Sequence, residues 1–130
     1  MENRAPVTTI LLAEDDPSMR EYLARALERT GYAVVAVEDG PSALRQLTET
    51  GFDLLLTDIV MPEMDGIELA HRAAVLHPGM RVMFITGFAA VTLHNDAMPA
   101  GAKVLSKPFH LRDLVAEVDR LFATRAAIDA

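Results

Sequence analysis

The apolar residues of this chain gather into short runs of Ile, Leu and Val that do not alternate with polar residues. That is the pattern of strands buried on both faces of a parallel sheet. Ile10-Leu11-Leu12-Ala13 runs into Glu14-Asp15-Asp16, and Leu54-Leu55-Leu56-Thr57 stops at Asp58. Val82-Met83-Phe84-Ile85 stops at Thr86, and Val104-Leu105-Ser106 stops at Lys107. Segments of helical period lie between the runs. Met19, Leu23, Ala26 and Leu27 form one stripe, stopped at Gly31. Pro41 suits the first turn of a second helix carrying Leu44 and Leu47 and ending near Gly51. Ile67, Ala70, Ala73 and Ala74 mark a third, closed by Pro78-Gly79. Leu111, Leu114, Val115, Val118, Leu121 and Phe122 define the last, through to about Arg125. Residues 88–102 carry Asn95-Asp96, Pro99 and Gly101, which predict a short or irregular helix.

The alternation reads as (βα)5, with strands near 8–13, 33–37, 53–58, 81–86 and 103–106. Right-handed crossovers favour a doubly wound, five-stranded parallel sheet of the flavodoxin-like order 2-1-3-4-5. A chain of 130 residues is expected to hold one domain, here 8–125. Residues 1–7 read as a flexible N-terminal tail and 126–130 as a C-terminal tail, with no output domain. Half the residues are apolar, which excludes a disordered chain. No apolar stretch approaches the ~20 residues of a membrane span. The first nine residues lack the basic start and apolar stretch of a secretory signal. There is no cysteine, so a cytoplasmic address is expected. The net charge of -7 argues against nucleic-acid binding.

Parallel strands bring all four polar strand ends to one edge of the sheet, where such folds bind ligands. Glu14, Asp15 and Asp58 would repel one another there, and a hard cation such as Mg2+ relieves the repulsion. Asp58 could act as a nucleophile that forms an aspartyl phosphate. The hydroxyl of Thr86 could donate to a phosphoryl oxygen, and Gly87 leaves room for a group to approach. Lys107 needs an anionic partner if it is buried, and a Lys-Pro bond can be cis. Each residue alone has a plainer reading. Asp16 caps a helix that begins at Pro17, Asp58 forms a turn, Thr86 finishes a strand and Lys107 is solvated. The conjunction decides between them, because cation site, nucleophile, hydroxyl and counter-charge are each supplied once. His71, His77, His94 and His110 have no metal-ligand spacing and read as surface residues. The seven methionines read mostly as core filler.

On Ile10–Asp16, Asp58-Ile-Val-Met-Pro-Glu-Met-Asp-Gly66, Thr86-Gly87 and Lys107-Pro108-Phe109, the chain resembles the response-regulator receiver domain, from about Thr8 to Arg125. The resemblance implies that Asp58 takes a phosphoryl group from a phosphohistidine on a histidine kinase or histidine phosphotransferase. It implies that Asp15, Asp58, Glu14 through water and the backbone carbonyl of Val60 hold Mg2+. Thr86 and Lys107 would bind phosphoryl oxygens and report to a face made by the fourth helix, fifth strand and fifth helix. The stretches Phe84–Val91 and Lys103–Val115 further resemble CpdR-type stand-alone receivers. That likeness implies an adaptor for the ClpXP protease and its substrates, active when unphosphorylated.

One position departs from the family. Val104 stands where receivers usually carry Tyr or Phe, so the usual aromatic rotation cannot carry the signal, and either Phe88 or Phe109 substitutes or the coupling differs. Val60 and Phe88 should flank the phosphoryl group and cannot hydrogen-bond an attacking water, so slow self-dephosphorylation is expected. The alternative within the family is a phosphorelay intermediate that passes its phosphoryl group to a histidine phosphotransferase. A flavodoxin-like cofactor binder is disfavoured because Glu14-Asp15-Asp16 would repel phosphate. An aspartyl-phosphate hydrolase would ordinarily place a second acid where Val60 stands.

Overall fold

The computed structural model describes residues 7–87 and 102–129, with side chains as far as residue 123. The expected helix over 88–102, with Phe88 and His94, lies outside the described residues except for Ala102. Strands β1 (Thr9–Ala13), β2 (Ala33–Val37), β3 (Leu54–Asp58), β4 (Arg81–Thr86) and β5 (Lys103–Ser106) alternate with α1 (Pro17–Arg29), α2 (Gly40–Glu49), α3 (Gly66–Leu76) and a C-terminal helix (Leu111–Asp129). The five strands form one parallel sheet of order β2-β1-β3-β4-β5, as the alternation predicted.

Period-two side-chain alternation divides the core into layers. On one face, Ile10, Leu12, Leu54, Leu56, Met83 and Ile85 pack against Leu23 and Leu27 of α1 and Leu114 and Val118 of the C-terminal helix. On the other, Leu11, Ala13 and Leu55 meet Ala43 and Leu47 of α2 and Leu69 and Ala73 of α3. Beside that layer, Phe84 packs with Ile59, Ile67 and Ala70. Each fully buried Leu or Ile contributes about 1.5–3 kcal/mol, which is why β3 tolerates three consecutive leucines.

Several expectations are corrected. The C-terminal helix continues to Asp129, so 126–129 is helical rather than a tail. Neither Gly nor Pro interrupts this alanine-rich stretch. In α3 the buried residues include Leu69, while Ala74 is exposed. At the sheet's edge, β2 is not buried on both faces, and Val35 is 38% exposed. An edge strand has a neighbour on one side only. Finally, His77 is half-buried, and its Nε2 lies 2.7 Å from the Leu47 carbonyl. A carbonyl only accepts, so that nitrogen carries the proton and ties α3 to α2.

Candidate functional site

Register places the site. Ala13 of β1 pairs with Thr57 of β3, so the next residues, Glu14 and Asp58, emerge side by side. Asp58 pairs with Ile85, and Thr86 with Ser106, which brings Thr86 and Lys107 to the same edge. The Lys107 amide donates to the Thr86 carbonyl at 2.7 Å and extends that alignment by one residue. Its peptide bond to Pro108 is cis.

Carboxylate oxygens of Glu14, Asp15 and Asp58 lie within 4.8 Å of one another. Glu14 and Asp58 are buried, while Asp15 faces solvent. Lys107 Nζ donates to Asp58 Oδ2 at 3.0 Å and stands 3.6 Å from Glu14 Oε1. The Val60 amide approaches Asp58 Oδ1 at 3.4 Å, a long and weak bond. Glu14 Oε2 accepts from the Asp16 amide at 3.1 Å, whereas Glu14 Oε1 is buried and has no hydrogen-bond partner among the described residues. The same holds for Thr86 Oγ1. Buried polar atoms without partners are costly, so both are set to receive something. The donor set is all carboxylate oxygen, which suits Mg2+ rather than a softer metal. The cluster therefore fits the cation inferred from the sequence.

Burial, together with the Asp58 charge, pushes Glu14 up to about 7 from 4.5, against the lowering effect of the Asp16 amide. For Lys107, burial pulls the ammonium down, but the bond and charge of Asp58, with Glu14, outweigh it and hold it above its usual value. The Glu14 shift has a measurable sign. Between pH 4.5 and about 7 the folded chain holds a proton that the unfolded chain releases. In chelator, stability is expected to fall by up to about 3 kcal/mol as pH rises through that window. Urea unfolding of wild type beside Glu14→Gln checks this, and an identical pH profile for the two would contradict it.

The remaining expected residues fall around this edge. Asp16 caps α1, accepting from the amides of Ser18 and Met19 at 2.9 and 3.2 Å, with Pro17 in the first turn. Val60 is 64% exposed and apolar. Gly87 is exposed, whereas Val104 and Phe109 are half-buried. Val104 packs on the Phe84 cluster, and Phe109 on the opposite layer with Leu114. Those two are on different faces of the sheet, so Phe109 does not occupy the place of the missing aromatic. A groove of about 510 Å³ lies on the neighbouring face, lined by residues that include Leu105, Pro108, Phe109, Asp113 and Glu117.

Three contacts escaped the sequence. Arg20 donates to the carbonyl of Glu14, the Thr57 hydroxyl donates to the carbonyl of Asp58 at 2.8 Å, and Gly66 lies against that same carbonyl. The signal for Arg20 was a cation one turn beyond an acidic helix cap. Thr57 offered none.

Residues 10–119 match the family described as the response regulator receiver domain. The chain is 61% identical over 113 residues to the response regulator receiver protein CpdR of Brucella abortus (strain 2308), covering 86% of this chain and 94% of that protein. A receiver protein structure from Sinorhizobium medicae WSM419 superposes with a TM-score of 0.84 at 30% identity, covering 92% of this chain and 97% of that one. The response regulator TrrA of Thermotoga maritima, solved in complex with Mg2+–BeF, gives 0.77 at 26% identity, covering 88% of this chain and 99% of that one.

Proposed function

This chain belongs to the response regulator receiver domain family, and from that membership we propose that it is a stand-alone receiver phosphorylated on Asp58. The observation that carries the reading is the meeting of Glu14, Asp15 and Asp58 within 4.8 Å, beside Lys107. An Asp58 carboxylate oxygen attacks the phosphorus of a phosphohistidine. One O–P bond forms, the N–P bond breaks, and the imidazole leaves with the electron pair and takes up a proton. Lys107 offsets negative charge beside the nucleophile, and Thr86 Oγ1 is the hydroxyl available to donate to a phosphoryl oxygen. Mg2+ would be held by Asp15 and Asp58, with Glu14 through water and the Val60 carbonyl, and would neutralise charge between acids and phosphoryl oxygens. The TrrA complex with Mg2+–BeF supports that choice of cation.

The chain is thus a phosphoacceptor signalling domain rather than a turnover enzyme. Its donor is a histidine kinase or histidine phosphotransferase, and its address is cytoplasmic. Among the described residues no helix is long and apolar enough to cross a membrane. The output is a protein contact, made on the face of β5 and the C-terminal helix that carries the groove. The likeness to CpdR supports an adaptor for ClpXP proteolysis.

Two experiments test this reading. Incubation with acetyl phosphate and Mg2+ should add one phosphoryl group to the peptide holding Asp58, as read by mass spectrometry. Affinity capture from cells should retain protease subunits in one phosphorylation state only. Return of the label to a phosphotransferase, with no protease retained, would favour the relay intermediate. Apolar Val60 gives an attacking water no hydrogen bond, so the purified phosphoprotein should decay over minutes or longer; a half-life of seconds would refute that assignment.

A further inference from the structure

Arg20 lies in the first turns of α1, and its guanidinium turns back across the β1–α1 connection. Nη1 donates to the Glu14 carbonyl at 2.9 Å and approaches the Asp15 carbonyl at 3.5 Å. Among the described residues no other side chain donates to either carbonyl. Its position contrasts with that of Lys107, whose ammonium lies against the carboxylates themselves. A cation on a carboxylate oxygen competes with a metal for that oxygen. A cation on the carbonyls leaves the oxygens open and holds the backbone that carries them.

The connection needs such a hold. Two acids follow one another at the end of β1 and face a third on β3, and like charges at this range push the backbone apart. The Glu14 amide is anchored to the Val37 carbonyl at 3.1 Å, and Asp16 caps the helix. The Asp16 amide also holds Glu14 Oε2 at 3.1 Å, and between these anchors Arg20 addresses the carbonyls of both Glu14 and Asp15. We propose that Arg20 is a positioning residue: by bonding the Glu14 and Asp15 carbonyls it holds their carboxylates converged for Mg2+, without occupying a carboxylate oxygen. The inference rests on the reading of the acid cluster as a cation site.

Positioning and simple charge predict opposite signs. If Arg20 only adds positive charge near the acids, its removal tightens Mg2+. If it positions them, removal weakens Mg2+, since groups that orient metal ligands typically alter affinity by about 10–100-fold. Arg20 is half-exposed beside an open cleft of about 250 Å³ bordered by Val37, Glu38 and Ser42, so Arg20→Met leaves no buried void. Arg20→Lys keeps the charge but loses the planar fork.

The test is calorimetric titration of Mg2+ into the full chain as wild type, Arg20→Met and Arg20→Lys at fixed pH and ionic strength. Labelling by acetyl phosphate at saturating Mg2+ is measured in parallel. Arg20→Met is expected to raise the Mg2+ dissociation constant about tenfold, with Arg20→Lys between it and wild type. The maximal labelling rate should stay within about twofold. Unchanged or tighter binding in Arg20→Met would overturn the inference, as would a lost maximal rate at unchanged affinity. The wild-type titration measures the cation-site reading itself, and only the ratio to the variants measures the role of Arg20. A wild type indifferent to Mg2+ sinks both.

Discussion

Asp58→Asn is expected to abolish labelling by acetyl phosphate while leaving the fold intact. Asparagine keeps the shape of the side chain and one acceptor oxygen, which can serve Lys107 or the Val60 amide but not both. It offers no carboxylate to attack phosphorus, and it removes one of the three clustered acids. Both losses act on the same step, so labelling should drop at least about a hundredfold. Mg2+ binding should weaken with it. Stability should change by no more than about 1 kcal/mol, because relief of repulsion offsets the weakened bond to Lys107, which retains Glu14 nearby. Radiolabel incorporation and thermal unfolding of the same preparation check both halves. Undiminished label would place the phosphoacceptor elsewhere.

The other large effect comes from a residue with no side chain. A Cβ on Gly66 would lie 2.0 Å from the carbonyl oxygen of Asp58, 2.9 Å from its carbonyl carbon and 3.1 Å from the Cα of Ile59. All three are backbone atoms, which cannot rotate away as a side-chain tip could. The connection is pinned there, because the Gly66 amide donates to the Ile59 carbonyl at 2.8 Å. The Thr57 hydroxyl holds the Asp58 carbonyl from the other side. Gly66→Ala must therefore displace either the start of α3 or the end of β3, where the nucleophile sits. We expect destabilisation of about 3 kcal/mol or more, and slower labelling in whatever fraction folds. Gly79→Ala is the control, since nothing lies within 4 Å of its would-be Cβ. Urea unfolding of the two variants beside wild type reads the difference, and equal stability of all three would show that the close approach does not constrain the chain.

These variants mark where the sequence was legible. Asp58 could be read because an acid closing an apolar run marks the strand's exit from the core, at the same edge as Glu14, Thr86 and Lys107. Gly66 could be quoted as part of a motif, but its effect depends on a loop folding back onto the Asp58 carbonyl, eight positions earlier. Nothing local predicts that approach. The same loop holds Glu63 at a φ of 71°, a left-handed backbone that non-glycine residues adopt at some cost. Likewise the sequence pointed to burial of β2, whose Ala-Val-Val-Ala-Val run is as apolar as the central strands. Its exposure follows from lying at the end of the strand order, a property of the whole sheet. His77 reads as a surface histidine until α2 supplies the Leu47 carbonyl.

From the chain alone came the number and order of the strands, their ends to within a residue or so, and the four types of polar group gathered at one edge. Those follow from local period and composition, because a strand buried on both faces must be apolar along its length and can turn polar only where it leaves the core. Tertiary structure alone decided which polar atoms are left without partners and which backbone groups are clamped. Among the described residues Glu14 Oε1 has no hydrogen-bond partner, only the Lys107 ammonium at 3.6 Å, while Glu14 O is held by Arg20, though both belong to one residue. Hydrogen bonding and close packing depend on distances of tenths of an ångström between segments far apart in sequence, and those distances exist only once the sheet has set its register.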